Sequence, residues 1–313
     1  MEFAEGLTGK QKFVFEPTVC CVCRVDDSHP LYTIDKYDEG MVTFVRCNRC
    51  GLVYQNPRPT AESLMNFFST QEFLSAKEAG VDFDKFIGYW DYLGDELPRQ
   101  RIAAYRYQRL ISLTGDRKLK ILKGGCGPGT FLALAKSKGH DVTGVETSNF
   151  FCKYGKYKYG LDLIHSSFED ADLPENSFDV ILLLGVLQHL NDPKLCLEKA
   201  NRLLKDNGYF LVNYMASDSV MTRLQGQNHF VFRPQVLNFF SKKNLLQLLG
   251  IAGFDVMSHD FDFQYTTLSK LVWLSRMRFL WEGLKFLPTD KIVFKLPIPG
   301  GFMLRCRKKS ALA

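Results

Sequence analysis

The chain has 313 residues, 46% hydrophobic and 24% charged, a balance that fits an ordinary folded protein with one large domain and a small one. Forty basic against 34 acidic residues leave a net charge of +6, spread along the chain, which does not by itself argue for a nucleic-acid partner. No apolar run reaches the roughly 18 residues of a membrane span. The opening MEFAEGLTGKQ has no apolar core, so the nine cysteines are expected as cytoplasmic thiols or metal ligands rather than disulfides.

Residues 1–17 read as a loose arm. Two cysteine pairs follow, Cys20-x2-Cys23 and Cys47-x2-Cys50, with 23 residues between them and short β-type runs such as Met41 to Val45. Each CxxC turn presents two thiolates to one side, and two such turns complete a tetrahedron, the spacing of a four-cysteine zinc ribbon. Gly51 supplies a tight knuckle after the second pair, whereas Arg24 stands at the glycine position of the first. Cys21 is a competing ligand, although Cys21-x-Cys23 suits a knuckle less well, and redox thiols or unpaired core cysteines are the alternatives to zinc.

From Thr60 to Leu113 the pattern turns helical, with one helix starting at Thr60 and another over Arg99 to Leu113. Alternation then begins. Strands are expected at Leu119–Leu122, Asp141–Val145, Leu161–Ile164, Phe178–Leu184 and Tyr209–Tyr214. Helices between them run from Gly129 to Lys138, from Asn149 to Tyr159, and onward from an Asp192 cap with Pro193 first, closed by Gly208. Five strands with crossover helices predict an α/β fold, a doubly wound Rossmann-like parallel sheet that binds ligand at its C-terminal edge. Ser241–Leu249 reads as a helix, Phe254–Ser258 and Gly301–Cys306 as closing strands, and Thr266–Phe286 as an apolar, basic interruption. The expected organisation is an arm and ribbon over 1–58, a helical cap over 59–115, and a sheet domain over 116–313 with an insertion at about 262–295.

The stretch Leu119–Phe131 (LKILKGGCGPGTF) feeds a strand into a glycine-rich turn, Gly125, Gly127 and Gly129, that opens a helix. Glu146 then ends the next strand, placed to accept hydrogen bonds from a ribose diol. The spacing is GxGxG, not the GxGxxG of a dinucleotide site. The block Ser166–Pro193 (SSFEDADLPENSFDVILLLGVLQHLNDP) resembles the class I S-adenosylmethionine-dependent methyltransferases, in which an LPxxSFD segment leads into the fourth strand. CNRCGLVYQNPRPT (Cys47–Thr60) resembles the ribbon fused to many bacterial sugar- and natural-product-modifying members, and His229–Val256 looks like their C-terminal part.

The resemblance implies that Gly125, Gly127 and Gly129 line the methionine part of S-adenosylmethionine. It implies that Glu146, with Thr147 beside it, takes the ribose, that Ser167 and Phe168 border the adenine, and that Leu184 and Gly185 floor the methyl group. Two positions depart from the pattern. Lys123 stands where an acid usually holds the cofactor's ammonium, and like charges 4–6 Å apart at an effective dielectric near 20 cost about 3–4 kcal/mol. Ser167 stands where an aspartate is common.

Methyl transfer is an in-line displacement, so alignment, water exclusion and removal of the acceptor's proton are what the protein contributes. His189, after the fourth strand, is the first candidate base, with loop anchoring as its alternative. His229, opening the aromatic HFVF, is the second, with packing as its alternative. Tyr89, Trp90 and Tyr92 are candidates to close over the cofactor. The reading is a cytoplasmic zinc-containing methyltransferase for a small polar acceptor, a sugar or natural-product intermediate. A non-catalytic scaffold suggested by Lys123, an RNA base methyltransferase, and a quinone-type acceptor suggested by Thr266–Phe286 remain alternatives. RNA is disfavoured because residues 18–58 carry few basic residues among aromatics.

Overall fold

The computed structural model describes residues 12–35, 41–75, 91–92, 94–229, 231–274 and 288–309. The arm is not loose throughout. Phe13 is buried against Phe67, and β1 (Phe15–Glu16) pairs antiparallel with β5 (Arg58–Pro59). Between them β2 (Ser28–Ile34), β3 (Val42–Cys47) and β4 (Val53–Gln55) form an antiparallel meander. Helix α1 (Ala61–Phe67) starts at Thr60, whose hydroxyl accepts from Ser63 N at 3.3 Å. Then come α2 (Gln71–Leu74) and the long α3 (Glu96–Thr114), three residues earlier in its start than the apolar spacing indicates.

The main sheet begins at β6 (Lys120–Gly124) and continues through α4 (Thr130–Ser137), β7 (Asp141–Glu146), α5 (Asn149–Tyr159), β8 (Ile164–His165) and β9 (Phe178–Leu183). Helix α6 (Pro193–Leu203) has the expected Asp192 cap and leads to β10 (Leu204–Met215). The strand β8 begins only at Ile164, because Leu161 is buried beside Gly129 instead of pairing. Gly208 does not close α6. Leu204 already pairs with Phe178, and the register shifts before Tyr209, which puts Gly208 inside an irregular strand.

After α7 (Val220–Gln225) and β11 (Asn238–Phe239), the chain forms α8 (Lys242–Ile251) behind a capping box between Ser241 and Asn244. The closing strands are longer than expected: β12 covers Phe254–Thr267 and β13 covers Val293–Lys308, paired antiparallel from end to end. Thr266 and Thr267 therefore belong to the sheet. The interruption starts with α9 (Leu268–Leu274), and the part of it over 275–287 lies outside the described residues.

Among the described residues the main sheet has seven strands in the order β12-β13-β10-β9-β6-β7-β8, with β10, β9, β6, β7 and β8 mutually parallel. This is a mixed α/β sheet dominated by its parallel half, the doubly wound arrangement expected. The strand order reverses between β6 and β9, and the crevice outside that switch point is where open α/β sheets hold ligands. Near-continuous apolar runs such as Val180–Leu183, all fully buried, are what a parallel strand covered on both faces requires. One face carries Leu110, Phe131, Leu132 and Ala135 from α3 and α4, and the other carries Cys196, Leu197, Leu245 and Leu248 from α6 and α8. The second cluster runs without a break into Cys20, Val45, Leu52 and Tyr54, and β11 adds the edge strand of the β2–β3–β4 sheet.

Candidate active site and metal centre

At the switch point β6 ends in Gly124, and the chain turns through Gly125 (φ +55°), Gly127 (+57°) and Gly129 (+84°) into α4. A Cβ on Gly125 would collide with the Val186 side chain, and one on Gly127 would stand 2.7 Å from the Tyr92 hydroxyl. Only glycine gives the backbone both the left-handed conformation and this close approach. The turn is locked to β7, because Cys126 N donates to Val145 O at 3.1 Å and Gly127 N donates to Glu146 Oε2 at 2.7 Å. Glu146 Oε1 accepts from Ser148 N at 2.9 Å and from the Thr147 hydroxyl at 3.3 Å. A carboxylate offers about four lone-pair sites, so Glu146 both braces the turn and keeps acceptor capacity toward the crevice.

The crevice is a cavity of about 690 Å³, within the range of small-molecule sites. Of the residues singled out from sequence, Gly125, Gly127, Glu146, Thr147, Ser167, Phe168, Leu184, Gly185 and His189 line it. Gly129 does not; it packs against Leu161 where α4 meets the sheet. Tyr92 lines the cavity and packs on Phe151, with the Arg99 guanidinium 4.5 Å from its ring centre. Tyr89 and Trp90 lie outside the described residues.

Several lining groups were not legible as site residues. Asp170 receives the Ser167 hydroxyl at 2.6 Å and donates its own N–H back at 3.0 Å, so an acid stands beside the serine after all. Arg106 enters from α3, with Nη2 3.9 Å from Asp262 Oδ2. Asp262 is fully buried and accepts from Asn213 Nδ2 at 2.7 Å, while Asn213 Oδ1 accepts from Gly185 N at 2.5 Å. This relay, anchored on the buried Asp262, fixes the backbone on which Leu184 and Gly185 sit. Lys123, only 6% exposed, lines the cavity and donates from Nζ to Gly125 O at 2.8 Å. Burial pushes its pKa down to about 8, with Arg106 adding in the same direction and Cys126 and Glu146 opposing.

The two histidines differ. His189 sits in a 3-10 turn (Leu187–His189), with Nδ1 2.6 Å from Gln235 O and Nε2 3.2 Å from Gln188 Nε2. The carbonyl requires the proton on Nδ1, which leaves Nε2 basic, and burial holds its pKa below the usual histidine value while the carbonyl bond opposes. His229 does not reach the cavity lining. It is completely buried with its ring centre 6.5 Å from Phe232 and 6.3 Å from Phe239, and burial pushes its pKa down to about 4. Phe232 and Phe239 close over it as part of a core, and that packing accounts for the departure from the expected base.

The Sγ atoms of Cys20, Cys23, Cys47 and Cys50 all lie within 4.8 Å of one another. Zn–S bonds of 2.3 Å arranged tetrahedrally give S···S edges of about 3.8 Å, and Cys20 and Cys50 stand 3.6 Å apart. The two knuckles repeat each other. Arg24 N donates to Cys20 O at 2.8 Å as Gly51 N does to Cys47 O at 2.9 Å, and Cys20 N and Cys47 N donate to Val25 O and Leu52 O. Arg24 takes the glycine conformation, φ +59°, and its guanidinium pairs with Asp192 at 2.7 Å. Cys21 is turned away, donating to Asn238 Oδ1 at 3.4 Å. The donor set and its geometry fit a zinc ion.

A glycine turn braced by an acid at the switch point of a parallel sheet defines a nucleotide-type α/β site. The chain belongs to the family described as the methyltransferase domain, which matches residues 99–259, half of its length. A probable S-adenosylmethionine-dependent methyltransferase of Mycolicibacterium smegmatis is 28% identical over 153 residues, 48% of this chain and 56% of that protein. The ubiquinone biosynthesis O-methyltransferase of Vibrio atlanticus is 27% identical over 128 residues, 39% of this chain and 54% of its own. The chain thus spans about half the length of these curated relatives. Among solved structures, a SAM-dependent methyltransferase from Archaeoglobus fulgidus aligns at 20% identity and TM-score 0.49, covering 69% of this chain and 99% of that one. Among the described residues no helix is long and apolar enough to cross a membrane.

Proposed function

We propose that the chain transfers a methyl group from S-adenosylmethionine to an oxygen of a small polar acceptor, a sugar or natural-product intermediate. The observation that carries this reading is the Gly125–Gly127 turn tied to Glu146 in the wall of the 690 Å³ cavity. The donor chemistry suits the cofactor: a carboxylate for a diol, a bare backbone turn for close approach, and an apolar slot around Phe168 and Leu184. When bound there, S-adenosylmethionine supplies an electrophilic methyl on a good leaving group.

Glu146 and Thr147 hold the ribose, Ser167 and Asp170 stand at the adenine edge, and Gly185 sets the floor. Met65, Phe68, Phe73, Met215 and Phe239 exclude water from the acceptor end. His189 Nε2 takes the acceptor proton once the Gln188 amide turns aside, and Gln235 O stabilises the imidazolium that forms. Relatives named as O-methyltransferases, for malonyl-[acyl-carrier protein] and in ubiquinone biosynthesis, favour an oxygen acceptor. Zinc held by Cys20, Cys23, Cys47 and Cys50 is structural in this reading, since four thiolates leave no open position.

The test is calorimetry of the zinc-loaded protein with S-adenosylhomocysteine, followed by a mass-spectrometric screen of sugars and natural-product intermediates. Micromolar binding and a one-methyl mass gain on an acceptor are expected. Absence of binding at millimolar ligand sinks the reading.

A further inference from the structure

We propose that Lys123 reverses the usual charge preference at the amino-acid end of the site, so that this chain holds its adenosyl ligand by the carboxylate and tolerates loss of the ammonium. The proposal rests on the cofactor reading above. Lys123 occupies the centre of the sheet, paired with Gly144 of β7 and Leu182 of β9, so its backbone cannot retreat. Its side chain lines the cavity and bends back to Gly125 O, the carbonyl that opens the glycine turn.

Its hydrogen bond goes to a backbone carbonyl, Gly125 O, and not to an acid. Arg106 lines the same cavity, and its buried Nε has no hydrogen-bond partner among the described residues. The acid nearest Arg106 is Asp262, 3.9 Å away and engaged by Asn213 Nδ2 and Phe263 N. Glu146 is engaged by Gly127 N, Ser148 N and Thr147. Burial is the largest influence on the Lys123 amine, with Arg106 acting in the same direction and Cys126 and Glu146 against it. A buried ammonium beside a guanidinium is relieved by an arriving anion and opposed by an arriving cation. Lys123 Nζ can leave Gly125 O for a carboxylate, and the freed carbonyl then becomes an acceptor for whatever donor the ligand brings.

The ligand class is an adenosyl thioether or sulfonium that bears a carboxylate. The experiment is calorimetry at pH 7 on zinc-loaded full-length protein with three probes: S-adenosylhomocysteine, its analogue lacking the amine, and its analogue lacking the carboxylate. The expected ranking is near-equal affinity for the first two, within about threefold, and a loss of about tenfold or more for the third, the scale of one charge-assisted contact. In Lys123→Met that tenfold discrimination shrinks to about threefold or less. At pH 8 binding of the parent compound takes up a proton in the native chain, read from the buffer dependence of the enthalpy, and does not in the variant.

The reverse ranking on the native chain, with the amine needed and the carboxylate dispensable, overturns the inference and leaves the cofactor reading intact. No binding by any of the three overturns both. The native ranking decides the matter even where Lys123→Met fails to fold.

Discussion

Replacing Lys123 by methionine keeps an unbranched side chain, one heavy atom shorter, and removes its charge and its bond to Gly125 O. The lysine pKa falls from 10.5 to about 8 on folding because burial strips water from the ammonium. At 1.36 kcal/mol per pKa unit that drop corresponds to about 3 kcal/mol of lost stability wherever the lysine is protonated in both states, which is below pH 8. As pH rises through 8 the folded protein releases the proton while the unfolded chain keeps it up to 10.5, so the penalty shrinks. At pH 9.5 about 1 kcal/mol remains. The stability advantage of Lys123→Met over the native chain should therefore narrow by about 2 kcal/mol between pH 7 and pH 9.5. Denaturant unfolding of both zinc-loaded proteins at matched pH measures this difference. Titrations common to the two chains cancel, as does the constant loss of the Gly125 contact. A gap that stays flat across this range would refute the assignment of a desolvated ammonium at this position.

Cys47→Ser should abolish stoichiometric zinc, one ion per chain by atomic absorption in the native protein, and lower the melting temperature of the whole molecule rather than of a separate cap. Gly127→Ala adds a Cβ at φ +57° within 2.7 Å of the Tyr92 hydroxyl, and calorimetry should show S-adenosylhomocysteine binding weakened about tenfold or more. His189→Ala should reduce kcat about 10²–10⁴-fold with little change in KM, the range for loss of a general base. Because burial depresses the His189 pKa, the native rate should begin to fall only at a lower pH than an ordinary histidine, half protonated at 6.5, would set.

The centre of the sheet was legible because β9 and the paired part of β10 are apolar runs, and the caps at Thr60, Asp192 and Ser241 fall where side-chain chemistry puts them. The closing pair was under-read. Along β12 and β13 polar residues alternate with apolar ones, and their pairing, Thr266 with Phe294 for example, depends on a partner distant in sequence. For the same reason β11 gave no signal, since two residues become a strand only because β4 is there to receive them. The Gly125–Gly127 turn and Glu146 could be read because local geometry dictates them. Arg106 and Asp262 could not, because the packing of α3 against β12, far apart in sequence, is what brings them together at the edge of the crevice. The misplacement of His229 follows from the same cause, as sequence shows its aromatic neighbours but not which way they face.

The strand β11 makes the cysteine cap something other than an exchangeable module. Asn238 meets Cys21 Sγ and Leu190 O, Asn244 Nδ2 donates to Cys50 O at 2.7 Å, and Phe232 packs against Phe44 and Phe239. A shortened chain beginning at residue 59 would leave Asn238 Oδ1 and Asn244 Nδ2 without their partners in the cap and would strip Phe44 from Phe232, at about 1–3 kcal/mol for each orphaned polar group. The same stretch of backbone that closes the cap's sheet also walls the cavity through Asn238, Phe239 and Phe240. Grafting this cap onto another sheet, or this sheet onto another cap, would mean transplanting part of the cavity wall with it.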